Sequence, residues 1–165
     1  PASPHLAAEM ENRPVRKELV CASFELLTKQ YAFIIVEGVG GLFVPIRRDW
    51  MVFDMAQEFG LPLVIVARSE LGTLNHTLLT LNAARNKGLT IAGIVFNRVT
   101  PHEEGLESSW TPIECDNMAT IESLGSVEIL GAIPYVPGLT ALEPASMYDR
   151  VEPYIDWNKI GRWLH

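Results

Sequence analysis

The sequence predicts an α/β fold built on a mostly parallel sheet, and three observations carry that prediction. Apolar runs of strand length recur along the chain at Ala32 to Val36, Leu63 to Ala67 and Ile91 to Phe96, and Val127 to Ile133 is apolar but for Glu128. Such runs mark strands buried on both faces, the condition of a parallel sheet covered by helices. Segments with apolar residues at helical spacing stand between them, so strand and helix alternate. Glycines, prolines and Asn or Asp residues punctuate the joints.

The elements follow in order. Ser3-Pro4 reads as an N-cap with Pro at the first helical position. It opens a short helix to about Met10 that Asn12 and Pro14 stop. Val15 to Gln30 carries Leu19, Val20, Phe24 and Leu27 at helical spacing and predicts an amphipathic helix. The strand Ala32 to Val36 runs into Glu37 and a glycine cluster. Trp50 to Phe59 predicts a helix closed by Gly60, and Leu63 to Ala67 a second buried strand. Leu74 to Lys87 is a helix with Gly88 as its stop. Ile91 to Phe96 is the third strand. Thr100 to Thr111 is polar and turn-rich, a loop or lid. Asp116 to Leu124 is a helix capped by Asp116, and Val127 to Ile133 the fourth strand. The tail to Pro153 is irregular. Asp156 to Leu164 closes the chain as a short helix with Trp157, Ile160, Trp163 and Leu164 on one side.

The chain has 165 residues, 48% apolar and 20% charged, enough for one domain with a core. Residues 1–165 are expected to form a single α/β domain. This composition excludes disorder, collagen and coiled coil. No apolar run reaches the roughly 18 residues of a membrane span, so a soluble chain is expected. A net charge of −7 argues against a nucleic-acid or anionic-membrane surface. Cys21 and Cys115 lie far apart, with no CxxC spacing. They form neither a disulfide framework nor a zinc site, and a reducing, cytoplasmic compartment fits them best. The opening PASPHLAAEMENRP reads as a loop running into a helix, as in a fragment of a longer protein.

Ligands of open parallel sheets bind at the carboxyl ends of the strands, so the segments after the strands are the places to search. After the first strand comes Glu37-Gly38-Val39-Gly40-Gly41. A carboxylate at a buried strand tip is costly unless something positive meets it. Mg²⁺ with nucleotide phosphates would do so, and the glycines let the backbone approach a ligand. A tight turn with a solvated Glu fits the same residues. After the second strand, Gly72 and Thr73 fall at a helix N-terminus, where free amides and the dipole favour a carboxylate or phosphate. Ordinary capping by Thr73 is the plainer alternative. After the third strand, Asn97 offers one donor and one acceptor to a purine edge. A guanine reader resembles NKxD. Here Thr100 stands in the Asp place, so adenine is favoured; a turn-forming Asn is the alternative. After the fourth strand, Ile133-Pro134-Tyr135 suits either the flank of a base or a plain loop.

Taken together, in this order and spacing, these segments resemble the dethiobiotin synthetase family. The residues that carry the resemblance are Pro1-Ala2-Ser3-Pro4-His5, Val36-Glu37-Gly38-Val39-Gly40-Gly41-Leu42-Phe43-Val44-Pro45, Leu71-Gly72-Thr73-Leu74-Asn75-His76, Gly88-Leu89-Thr90-Ile91-Ala92-Gly93, Asn97 and Leu130-Gly131-Ala132-Ile133-Pro134. It runs from Pro1 to about Pro137; Gly138 to His165 matches less clearly. The resemblance implies a three-layer, P-loop NTPase-like fold. It also implies ligase chemistry: 7,8-diaminononanoate, CO₂ and MgATP give dethiobiotin, ADP and phosphate in biotin biosynthesis. One amine takes up CO₂ as a carbamate. The γ-phosphoryl group moves to the carbamate, and the second amine closes the ring and expels phosphate. By the same resemblance, Glu37 binds Mg²⁺, and Gly38, Val39 and Gly40 approach the phosphates. Asn97 reads adenine, with Ile133, Pro134 and Tyr135 alongside. Gly72, Thr73 and Asn75 hold the substrate carboxylate from the neighbouring subunit of a homodimer. The family's GxxxxGK[ST] loop has no counterpart in these 165 residues. It would precede Pro1, together with the opening strand and the substrate lysine, so the fold is expected to be incomplete at the N-terminus and no catalytic residue is assigned in this chain. Two other readings remain at this point: a related nucleotide-binding ATPase or amidase-type ligase, and a non-catalytic binding or dimerisation remnant.

Overall fold

The structure, a computed structural model, describes residues 2–101 and 110–163. Two compact units emerge, one of residues 1–61 and 86–89, the other of residues 62–85 and 90–165.

The first unit opens with helix α1 (Pro4–Met10), which has Pro at its start as the sequence predicts. Helix α2 (Lys17–Gln30) follows. A short antiparallel pair, β1 (Pro45–Arg47) with β2 (Trp50–Met51), leads into helix α3 (Val52–Phe59). The backbone N–H of Met51 donates to the Asp54 carboxylate at 2.8 Å, and Gly60 closes α3 in the left-handed conformation. Helix α2 meets α3 through stacked rings of Phe24 and Phe59, 4.0 Å between centroids. Glu58 on α3 receives the Lys17 ammonium beside them.

The expected strand Ala32 to Val36 is not formed. Residues 32–36 adopt neither helix nor strand, and Phe33 and Ile35 are 57% and 80% exposed. A strand exists only through its neighbour, and among the described residues none pairs with this run. The helix predicted from Trp50 begins two residues later, because Trp50 and Met51 are used in the β1–β2 pair.

The second unit carries the parallel sheet. Its strands are β3 (Leu63–Ala67), β4 (Ile91–Asn97) and β5 (Ile129–Ile133), in the order β3-β4-β5, both pairings parallel. Helix α4 (Thr73–Asn86) crosses from β3 to β4, and helix α5 (Pro112–Gly125) from β4 to β5. Each strand thus falls where an apolar run predicts it. One face of the sheet packs Ala67, Ile94 and Phe96 against Leu81 of α4 and Ile121 of α5. Phe96, Leu81, Ile94 and Ile121 are fully buried, and each such side chain contributes about 1.5–3 kcal/mol of transfer free energy. The other face packs Ala92, Val95 and Leu130 against Ile155 and Ile160. Ile160 lies on helix α7 (Trp157–Gly161), which makes a third layer. On β3 this second face is uncovered among the described residues, with Val64 47% and Val66 67% exposed.

The tail after Ile133 is more regular than expected, since helix α6 spans Pro144–Val151 with Pro at its start. Helix α5 begins at Pro112, capped by Thr111, and not at Asp116. Asp156 does cap the final helix, accepting from the Lys159 N–H at 3.1 Å; Leu164 lies outside the described residues. Of the expected loop or lid Thr100 to Thr111, residues 102–109 also lie outside them. No helix among the described residues is long and apolar enough to cross a membrane.

Gly93 sets the β4–β5 register. A β-carbon there would come within 2.7 Å of the Glu128 carbonyl oxygen and 2.6 Å of Leu130 Cγ. That carbonyl already accepts the Ile94 N–H at 2.9 Å. Gly93→Ala is therefore expected to destabilise the protein by about 1–3 kcal/mol through overpacking. Urea unfolding checks it, and an unchanged midpoint would show that the two strands can part freely at this point.

Candidate functional site

The glycine segment after Val36 is shaped by the start of α3. The N–H groups of Val52 and Phe53 donate to the carbonyls of Val44 and Leu42, each at 3.0 Å. The Val44 N–H closes a turn onto the Gly41 carbonyl at 2.9 Å. Gly40 takes φ +72°, a conformation open to glycine at little cost. Glu37 stands exposed at the head of this turn, and no described residue pairs with its carboxylate. Val39 is also exposed, at 59%. Among the described residues no group of three or more His, Cys, Asp or Glu could hold a metal. Mg²⁺ commonly takes only one or two carboxylates, with water and substrate phosphates completing its shell. Because the strand Ala32 to Val36 is not formed, Glu37 is not at a buried strand tip but solvated in a turn, as the plainer alternative has it; an exposed, unpaired carboxylate is of the donor type such an ion takes.

In the second unit, the segment after β3 turns at Gly72, φ +94°, and α4 begins at Thr73, one residue before the expected Leu74. The Thr73 side chain does not cap. It is 1% exposed and its hydroxyl shares a hydrogen bond with the Thr77 hydroxyl at 3.1 Å. The plain capping alternative for Thr73 therefore fails. Gly72 and Asn75 are exposed, and the Arg68 guanidinium lies beside them, 3.2 Å from His76 Nδ1.

Asn97 ends β4, half-buried, and its register partner on β5 is Ile133. The Arg98 N–H donates to the Ile133 carbonyl at 3.0 Å. Pro134 is buried and Tyr135 half-buried just beyond. The structure thus brings Asn97 together with Ile133, Pro134 and Tyr135. Glu37, Gly38, Val39 and Gly40 belong to the other unit.

Sequence reasoning missed the most buried polar cluster. Glu114 is 3% exposed, Arg98 2% and Ser69 0%. Glu114 Oε1 accepts the Ser69 hydroxyl at 2.6 Å and Arg98 Nε at 2.8 Å. Its Oε2 receives Arg98 Nη2, and the N–H and hydroxyl of Thr111 at 2.9 Å each. The Arg98 guanidinium lies over the Trp110 ring, 4.4 Å from its centre. Burial pushes the Glu114 carboxyl up, but Arg98, Ser69 and Thr111 outweigh it and hold the group at about 2. Part of this was visible. Thr111-Pro112-Ile113-Glu114 is a capping box with Pro at the first helical position, and the Glu114 N–H returns to Thr111 Oγ1 at 3.2 Å. Nothing local in the sequence signals Arg98 and Ser69 as partners.

A parallel sheet with helices on both faces defines the class, an α/β domain of the P-loop NTPase kind, and a family model described as an AAA domain matches residues 1–143. Three curated relatives bear the name "ATP-dependent dethiobiotin synthetase BioD". That of Methanocaldococcus jannaschii is 40% identical over 137 residues, covering 81% of this chain and 61% of the relative. That of Methanococcus vannielii is 37% identical over 161 residues, 98% of this chain and 67% of the relative. That of Bacillus cereus strain G9842 is 37% identical over 164 residues, 99% and 64%. The chain belongs to the dethiobiotin synthetase family. It spans 61% to 67% of the length of these three relatives.

Proposed function

We propose that this chain serves the ATP-dependent carboxylation and ring closure of 7,8-diaminononanoate to dethiobiotin, in a cytoplasmic homodimer. The observation that carries the reading is Asn97 paired with Ile133 at adjacent strand ends, in a chain similar to named dethiobiotin synthetases over most of its length. In this reading the Asn97 amide offers its donor and acceptor to the adenine edge, and Ile133, Pro134 and Tyr135 flank the base. Mg²⁺, when bound, neutralises charge on the phosphates as the γ-phosphoryl group moves. Glu37 supplies its protein carboxylate. Gly38, Val39 and Gly40 let the backbone come close without side-chain bulk. Gly72, Thr73 and Asn75 form the seat for the substrate carboxylate of the partner's site; the Thr73 N–H is taken by the Glu70 carbonyl at 3.1 Å, so the exposed Gly72 backbone and the Asn75 N–H and carboxamide are what the seat offers. The chain's part in catalysis is then positioning and charge placement, which dominate phosphoryl transfer.

Calorimetric titration of ATP, with and without Mg²⁺, tests the reading. Asn97→Ala is expected to weaken ATP binding by roughly tenfold to a hundredfold, the worth of one or two hydrogen bonds left unmade in a buried base site. Unchanged affinity would return Asn97 to a turn former. Light scattering should find a dimer, and a monomer that still binds the diamine carboxylate would remove the shared seat.

A further inference from the structure

We infer that Glu114 is a positioning residue that holds two ligand seats in register, the Asn97 end of β4 and the Gly72–Thr73 start of α4. What those seats hold rests on the proposed function; the link between them rests on geometry alone.

One carboxylate reaches three chain segments. Through Ser69 it grips the turn after β3, three residues before Gly72. Through Arg98 it grips the residue that follows Asn97. Through Thr111 it fixes the start of its own helix. Both links are reinforced. Asn117, one turn along α5, donates from Nδ2 to the Ser69 carbonyl at 2.9 Å, so side chain and backbone of Ser69 are both held from one helix. The Arg98 N–H reaches Ile133, which extends the tie to the third strand end. Thr100 adds a second bridge between the loops after β4 and β3, its hydroxyl donating to Glu70 Oε1 at 2.8 Å. Glu114, Arg98 and Ser69 are all nearly inaccessible, so water cannot replace a missing partner and the geometry is firmly specified. A buried ion pair stabilises no better than well-packed apolar residues. What it supplies here is a fixed distance between two loops.

The test uses Ser69→Ala and Glu114→Gln in the active enzyme. Ser69→Ala cuts the tie to α4 and keeps the ion pair. It should raise KM for the diamine by about threefold to tenfold, the worth of one hydrogen bond, with KM for ATP and kcat within about twofold. Glu114→Gln should raise both KM values. Amide hydrogen exchange reads the link without any substrate. The Thr73 and His76 amides, which donate to the Glu70 and Gly72 carbonyls, should lose protection in Ser69→Ala, and these together with the Arg98 amide, held by the Ile133 carbonyl, in Glu114→Gln. Lower melting temperatures with both KM values and both exchange patterns unchanged would overturn the inference. If the parent protein turns over neither substrate, the proposed function fails, and the exchange pattern still decides the link: loss confined to α5 would sink it. Should Glu114→Gln not fold, Ser69→Ala decides alone.

Discussion

Glu114→Ala should lower the unfolding free energy by about 3–5 kcal/mol at neutral pH, because it breaks the buried Arg98–Glu114 ion pair. Arg98 is 2% exposed, so solvent cannot take over. Ser69 and Thr111 lose an acceptor at the same time. The effect should depend on pH with a definite sign. The Glu114 carboxyl is held at about 2 in the folded protein, below its ordinary 4.5, with Arg98 the charged group facing it. A depressed carboxyl stabilises the fold fully above its unfolded value, and that stabilisation fades as pH falls through the folded value. The parent protein should therefore lose about 3 kcal/mol of this contribution between roughly pH 4.5 and pH 2. The variant lacks that loss, so the gap between the two narrows in acid. Urea unfolding at a series of pH values measures both. A difference under about 1 kcal/mol, flat with pH, would mean that the pair is not the tie its geometry describes.

The parts of the fold legible in the sequence were those set by local pattern. Leu63–Ala67, Ile91–Phe96 and Ile129–Ile133 are runs without a charged or polar side chain, the mark expected of strands buried on both faces; β4 is buried so, whereas Val64 and Val66 of β3 stay exposed on one face. Helix α4 was legible because Gly72 and Gly88 bracket a periodic segment. Ala32 to Val36 shows the limit of the same signal. Its apolar run is as clear as the others, yet strand formation depends on a neighbour, and pairing is not written in the run itself. The start of α5 was misplaced for a different reason. Asp116 and Thr111 are both good caps, and only the Thr-Pro-x-Glu box, with Glu three residues on, distinguishes them. At the candidate site, Asn97 and Ile133 could be placed together because both sit at strand ends of one parallel sheet. The Ser69–Glu114–Arg98 cluster could not, since it joins residues as far as 45 apart in the chain and no periodicity records it.

Glu37→Gln should remove Mg²⁺-dependent turnover in the active enzyme, a loss of several kcal/mol of transition-state stabilisation, while leaving the fold intact. The two halves of this expectation come from one observation. Glu37 is exposed, and no described residue pairs with its carboxylate, so Gln at this position breaks no contact that the fold uses. Substitutions at such surface positions change stability by about 0.5 kcal/mol or less. The shape of the glycine turn does not depend on the side chain either, since it is set by the amides of Val52 and Phe53 and by the left-handed Gly40. What Gln cannot supply is a negative charge for a hard divalent cation. The proposed role therefore separates cleanly from a structural one. Steady-state turnover as a function of Mg²⁺, alongside a melting curve, reads both. Lost turnover with an unchanged melt assigns the metal role to Glu37. A lowered melt with turnover retained would make the carboxylate a structural group, and the metal's protein ligand would have to be sought on another residue.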